Sequence, residues 1–301
     1  MRQIGIDARE GGRPALPGRA MPAPHDIGSL VVSMAPDLAG LIGPVTELAC
    51  EAGRRILELF RSDVLGVDYK LDRTPVTEAD HAAHEHIVAG LERLTPGIPV
   101  LSEESGAEQH ARERSGWDWH WLVDPLDGTR EFIRGGEEFT VNIALIRGKA
   151  PVLGVVDAPA KGIVFFGHEG GGAHSCTADS DTPAPISVRR PPADPLRVLA
   201  SRSHAGSALE LYIGALGPTH RRAISSSLKF CLIARGEADV YPRMWPISEW
   251  DTAAGQAVLE CAGGAVFDLQ GRRLRYGKDS IRVPPFIACG DPAHDWLDYL
   301  P

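Results

Sequence analysis

Residues Trp119 to Ile146 read WHWLVDPLDGTREFIRGGEEFTVNIALI, and the fold depends on how this stretch is parsed. Trp121-Leu122-Val123 is an apolar run that predicts a buried strand, and it stops abruptly at Asp124. Asp124-Pro125-Leu126-Asp127-Gly128-Thr129 predicts a turn, because Pro fixes one φ and Asp-Gly accepts a left-handed one. Phe139 to Ile146 predicts a second strand. Two carboxylates therefore fall at the carboxyl end of a strand, where open α/β sheets bind ligands. Hard divalent cations such as Mg²⁺ take oxygen ligands, commonly carboxylates together with waters and substrate phosphate. Pro125 stiffens the link, so that Asp124 and Asp127 can face one site while the Leu126 carbonyl points inward. Gly128 lets a phosphate approach the backbone, and Thr129 can hold a water. Taken alone, the string is also an ordinary Asp-Gly turn with a solvated carboxylate, so its partners elsewhere must decide.

The 301 residues suffice for one large domain or two ordinary ones. Hydrophobic content of 43% and charged content of 24% are those of a globular protein, and no apolar run is long enough to span a bilayer. A net charge of −9 argues against a nucleic-acid polymer as partner. It leaves room for a small phosphorylated substrate if metal ions supply local positive charge. Cys50, Cys176, Cys231, Cys261 and Cys289 are widely spaced with no CxxC, which predicts reduced thiols buried as small hydrophobes and a cytoplasmic location. Peripheral contact with the inner membrane is left open.

Residues 1–36 hold no aromatic side chain and are rich in Gly, Pro, Ala and Arg, which predicts a disordered extension or a mis-assigned upstream start. They make a poor signal peptide, with no apolar region after Arg2. Order is predicted from Pro44, at the first turn of an amphipathic helix through Val45, Leu48, Ala49, Ala52, Ile56, Leu59 and Phe60. A second helix, capped by Thr77, runs to about Leu94, with Asp80 at its third position and His81, His84 and His86 on a solvated face. Pro99-Val100-Leu101 repeats the pattern of apolar strand then acid, ending at Ser102-Glu103-Glu104. Val152–Asp157 and Gly162–Phe166 predict a hairpin, with Glu169–Ala173 as a flexible glycine loop. A proline-rich shift between Thr182 and Pro195 marks a domain junction. Leu196–Ala200 predicts a strand ending near His204. Ser225-Ser226-Ser227 opens a helix with Lys229 in its first turn, an arrangement suited to an anion. A short strand, Ala238–Tyr241, leads to Arg243. Asp251 lies at or beside the N-cap of a helix that Gly263-Gly264 ends.

Asp80, Glu103, Asp124, Asp127 and Asp251 thus all stand at strand ends or helix starts. Each has a bland account as a cap or turn residue. Together with a phosphate-tolerant turn they point to multi-metal phosphoryl transfer.

The strings VLSEES, WLVDPLDGTREF and EWDTAAGQAVLECAGG resemble the signature regions of the inositol monophosphatase superfamily of Mg²⁺-dependent, Li⁺-sensitive phosphatases. TPVTEAD, GEEFTVNIALI, LASRSH, SSLKFCLIARGEADVYPR and EWDTAAG are most similar to its branch of CysQ-type 3′(2′),5′-bisphosphate nucleotidases. The resemblance implies an α/β fold, the layered α-β-α-β-α sandwich. It divides the chain into the 1–36 extension, a 37–185 N-terminal α+β metal-binding half and a 186–301 C-terminal α/β half, with the site between the halves. It implies Glu103, Asp124, Leu126, Asp127 and Asp251 as ligands of two or three Mg²⁺ ions. Asp80, Glu103 and Thr129 would orient the attacking water. The substrate would be held by Glu103, Leu126, Asp127, Gly128, Thr129, His204, Ser226, Lys229, Arg243 and Asp251. The expected reaction takes the 3′-phosphate from adenosine 3′,5′-bisphosphate, and also from its 5′-phosphosulfate analogue. An inositol-1-phosphate or fructose-1,6-bisphosphate phosphatase, or a catalytically dead metal- or phosphate-binding regulator, are the alternatives.

Overall fold

The computed structural model describes residues 35–60, 67–69, 75–105, 116–178, 180, 182–202 and 206–301. The sequence expectations for residues 1–34 and for His204 lie outside the described residues.

Helix α1 (Leu38–Phe60) begins six residues before Pro44, which sits inside it rather than in its first turn. The proline removes only one backbone donor, and Leu38, Leu41 and Ile42 upstream of it still pack on the core. Strands β1 (Val67–Tyr69) and β2 (Pro75–Thr77) form a small antiparallel pair, and α2 (Glu78–Leu94) follows. Only His81 of the three histidines is exposed: His84 Nδ1 lies 2.8 Å from Ser102 Oγ, and His86 Nε2 lies 3.0 Å from Glu51 Oε2. The predicted solvated face is therefore a packed one. Burial lowers the pKa of both packed rings.

Next come β3 (Val100–Ser102), β4 (Trp119–Asp127), the short helix α3 (Thr129–Ile133), β5 (Thr140–Arg147) and β6 (Ala150–Ala158). Strands β7 (Ile163–His168), β8 (Gly172–Thr177) and β9 (Ala184–Ile186) complete a seven-stranded sheet in chain order. It is antiparallel apart from the β3–β4 pair. The β6–β7 hairpin is as predicted. The glycine loop is not: Glu169-Gly170-Gly171 is a tight turn, and Ala173 already belongs to β8.

Beyond residue 186 lie β10 (Leu196–Ser201), α4 (Ser207–Ala215), β11 (Thr219–Ile224), α5 (Leu228–Ala234), β12 (Val240–Arg243) and β13 (Ile247–Ser248). They are followed by α6 (Trp250–Cys261), β14 (Ala265–Asp268), β15 (Arg282–Val283) and β16 (Phe286–Cys289). A five-stranded sheet runs β11-β10-β12-β16-β14, and β13 pairs with β15.

Side-chain alternation sets the layers. Trp121 and Val123 of β4, with Val141, Ile143 and Leu145 of β5, pack on α1 and α2. The opposite face, through Leu122, Ala144 and Ile146, packs on Phe230 of α5 and Ala253, Ala254 and Val258 of α6. Those helices in turn cover Tyr241, Phe286 and Ala288 of the five-stranded sheet. Val198, Val240 and Ile287 on its far face meet Leu209 and Tyr212 of α4. The order of layers is α-β-α-β-α, and residues 36–301 form one compact unit. Among the described residues, no helix is long and apolar enough to cross a membrane. Cys231 and Cys289 are buried, whereas Cys50, Cys176 and Cys261 are only half-buried; all five are free.

Candidate active site

Strand β4 does not end at Asp124 but continues to Asp127, so the predicted turn is a strand irregularity. Asp124 pairs with Asn142 and Asp127 with Thr140, leaving one extra residue on β4 between them. In a regular strand, residues three apart point to opposite faces. A one-residue bulge restores the phase, and proline is tolerated at such a place. Leu126 therefore turns into the α1/α2 core, while both carboxylates face the α5/α6 side. Gly128 then takes φ +95, and a Cβ there would stand 3.2 Å from the Glu138 carbonyl. Its freedom lets the chain turn at once into α3, which begins at Thr129.

Asp251 enters from the opposite layer, in the first turn of α6, one position past Trp250, with Glu249 as N-cap. Its Oδ2 accepts from Ser248 N at 3.1 Å, which anchors the carboxylate where β13 meets α6. Oxygens of Asp124, Asp127 and Asp251 lie within 4.8 Å of one another. Burial, reinforced by Glu103 and the two other aspartates, raises Asp124 well above the carboxylate range. Burial, then Asp127 and Glu103, pushes Asp251 up to about 8. Asp127 is also raised by burial, against the pull of Lys229 and of the Ser227 amide. Such crowding of like charges is costly without a counter-ion, and the donors are all oxygen. That set suits a hard divalent cation.

Asp80 lies at the start of α2 and is 3% exposed. Its Oδ2 accepts from Thr77 N at 2.7 Å and Thr77 Oγ1 at 2.6 Å. Its Oδ1 lies 3.4 Å from Thr129 Oγ1, which also donates to the Leu126 carbonyl at 3.1 Å. Burial pushes Asp80 up to about 6 despite the Thr77 bonds. Glu103 opens a short 3-10 turn after β3 and lines the same cavity.

That cavity, of about 880 Å³, brings together most of the residues picked out in the sequence: Glu103, Asp124, Asp127, Thr129, Ser226, Lys229, Arg243 and Asp251. Ser226 holds φ +54, an unusual conformation for a side-chain-bearing residue. Lys229 fixes it: the buried ammonium donates to the Ile224 carbonyl at 3.2 Å and the Ser226 carbonyl at 2.5 Å. The same ammonium sits 5.0 Å from the Tyr241 ring centroid, and burial lowers its pKa to about 8. The expected free amides of the serine-opened helix are partly spent, since Ser227 N donates to Asp127 Oδ2 at 2.6 Å. Arg243 reaches the Trp245 carbonyl (3.2 Å) and Ser201 Oγ (3.4 Å).

Sequence reasoning missed the residues that orient Asp127. Asn142 Nδ2 donates to it at 3.4 Å, and Ser227 Oγ bonds Asn142 at 2.6 Å and Thr140 at 2.9 Å. It also missed Glu138, whose Oε2 accepts from Ser225 N (2.9 Å) and Arg202 (2.7 Å) and so ties the segment before β5 to residues that follow β10 and β11. A signal was present: Glu138, Thr140 and Asn142 are polar at every second position leading into an otherwise apolar strand.

A layered α-β-α-β-α sandwich with an acid cluster at the junction of strand, bulge and helix defines a metal-dependent phosphatase scaffold, and the inositol monophosphatase family model matches residues 37–295. The chain belongs to that family. Among its curated relatives, the 3′(2′),5′-bisphosphate nucleotidase CysQ of Escherichia coli K12 is 45% identical over 82% of this chain and 98% of its own length. That of Haemophilus influenzae is 33% identical over 85% and 95%. Among solved structures, CysQ of Bacteroides thetaiotaomicron superposes with a TM-score of 0.73 at 38% identity, covering 84% of this chain and 98% of its own. An inositol monophosphatase from Zymomonas mobilis gives 0.69 at 25% identity, covering 88% and 98%.

Proposed function

We propose that this protein is a 3′(2′),5′-bisphosphate nucleotidase that removes the 3′-phosphate of adenosine 3′,5′-bisphosphate to give AMP and phosphate, and acts likewise on the 5′-phosphosulfate analogue. One observation carries the substrate: identity of 45% to a bisphosphate nucleotidase across nearly that enzyme's whole length. The inositol monophosphatase from Zymomonas mobilis stands at 25%, which does not favour the inositol or fructose reading. The assembled acid cluster speaks against a dead regulator.

In this reading Glu103, Asp124, Asp127, Asp251 and the Leu126 carbonyl hold two or three Mg²⁺ ions. Bound divalent ions would supply charge neutralisation of the reacting phosphate and a lowered pKa for the attacking water. The chain contributes placement. Thr129 Oγ1, within reach of both Asp80 and the Leu126 carbonyl, aims the water and is polarised by Asp80. Gly128 lets the phosphate lie against the backbone. Ser226, Lys229, Arg243 and His204 hold the nucleotide and its second phosphate. The halves 37–185 and 186–301 are proposed to grip the substrate between them, and the enzyme is placed in the cytoplasm. No observation supports a peripheral membrane contact, and the proposal leaves it out.

Phosphate release from adenosine 3′,5′-bisphosphate and from inositol 1-phosphate, with Mg²⁺ and with or without Li⁺, tests the assignment. Preference for the nucleotide by at least tenfold in kcat/KM is expected, and equal or reversed preference overturns it.

A further inference from the structure

Trp245 is 54% exposed, one of few large apolar side chains so placed among the described residues. It lines the active-site cavity, on the wall that Ser201, Arg243 and Pro246 also form. The other aromatic residues of that lining, Phe230 and Tyr241, are buried in the core. A single exposed apolar side chain is ordinary on a protein surface; what singles this one out is that the indole stands in the lining of the active-site cavity.

The backbone that carries the indole is tied down. The Trp245 carbonyl accepts from Arg243 Nε at 3.2 Å, and the Pro246 carbonyl accepts from Arg282 Nη2 at 3.0 Å. Two arginines from different strands thus each spend a hydrogen bond on the backbone at this corner. On the far side, Gly206 at the start of α4 lies against the ring; a Cβ there would stand 3.1 Å from Trp245 Nε1. An exposed indole on the cavity wall suits a flat π-system, because base–aromatic stacking is favourable for any base and needs no hydrogen-bond readout.

We propose that Trp245 is the stacking platform for the purine base, and so the residue that makes the cavity favour a nucleotide over a phosphorylated polyol. The proposal rests on the bisphosphate nucleotidase reading and adds to it the element that recognises the base. The indole does not touch the reacting phosphate. It binds substrate and transition state alike, and its contribution belongs to KM.

The test compares adenosine 3′,5′-bisphosphate with its abasic tetrahydrofuran analogue, which keeps the ring and both phosphates. Trp245→Ala should lose roughly ten- to a hundredfold in kcat/KM on the nucleotide, nearly all of it in KM, as expected for one lost stack. On the abasic compound it should lose less than threefold. Trp245→Phe should restore most of the nucleotide activity. Melting temperatures of both variants should stay close to wild type, given the exposure of the ring. Equal losses on both substrates, or none on the nucleotide, would overturn the platform while leaving the nucleotidase reading intact. A wild-type protein that hydrolyses neither compound would overturn both.

Discussion

The Asp157 carboxylate lies against the backbone of α1 at Gly53, where an added Cβ would collide with Oδ2. Burial pushes its pKa up to about 7 from 3.8. The folded state therefore binds a proton that the unfolded chain has lost, across the window from about pH 4 to about pH 7. Stability should fall through that window as pH rises and level off above it, by roughly 4 kcal/mol at most. Asp157→Asn should remove the slope and raise the melting temperature at pH 8; a variant less stable than wild type at pH 8 would refute this account. The half-buried Cys50 thiol, raised to about 12 by burial and then by Asp157, does not titrate in that range. Asp124→Asn makes the converse case within the cavity. It keeps the shape and replaces a carboxyl that burial and its acidic neighbours already drive towards the neutral form, so the metal-free protein should melt no lower than wild type. Activity with Mg²⁺ should nevertheless fall by far more than tenfold, and a variant keeping a tenth of wild-type kcat would refute the ligand assignment.

Strand β4 and helix α3 join at Gly128, the one residue of this corner with a left-handed φ. Gly128→Ala adds strain of about 1–2 kcal/mol and a close contact with the Glu138 carbonyl. For a domain of this size the melting temperature should drop by roughly 2–8 °C, with kcat falling as Thr129 shifts. An unchanged melting temperature would show that the corner relaxes freely. The strands and helices around it were largely legible, because apolar periodicity and acid at strand ends follow from residue type alone. The bulge was not. Its existence depends on how β5 registers against β4, which a single strand's sequence does not state. Ser227 escaped for a similar reason, since its partners Thr140 and Asn142 lie more than eighty positions earlier. Pro44 misled because proline favours first turns, while the apolar residues before it supply enough packing to offset one missing donor.

The compact unit of the fold begins at residue 36, and the family match begins at residue 37. Removing residues 1–36 should leave melting temperature and kcat within error of the full chain, and a loss of several degrees would show that the segment packs on the body. The three aspartates hang on β4 and α6, elements whose other side chains are almost wholly buried between layers. Trp245 and Arg243 hang on the rim, where side chains are half in solvent. Heredity should treat the two walls differently. A substitution under the aspartates should cost stability along with chemistry. One on the rim leaves a folded enzyme with an altered appetite, so the scaffold can acquire new substrates across a lineage without relearning how to cleave a phosphate ester.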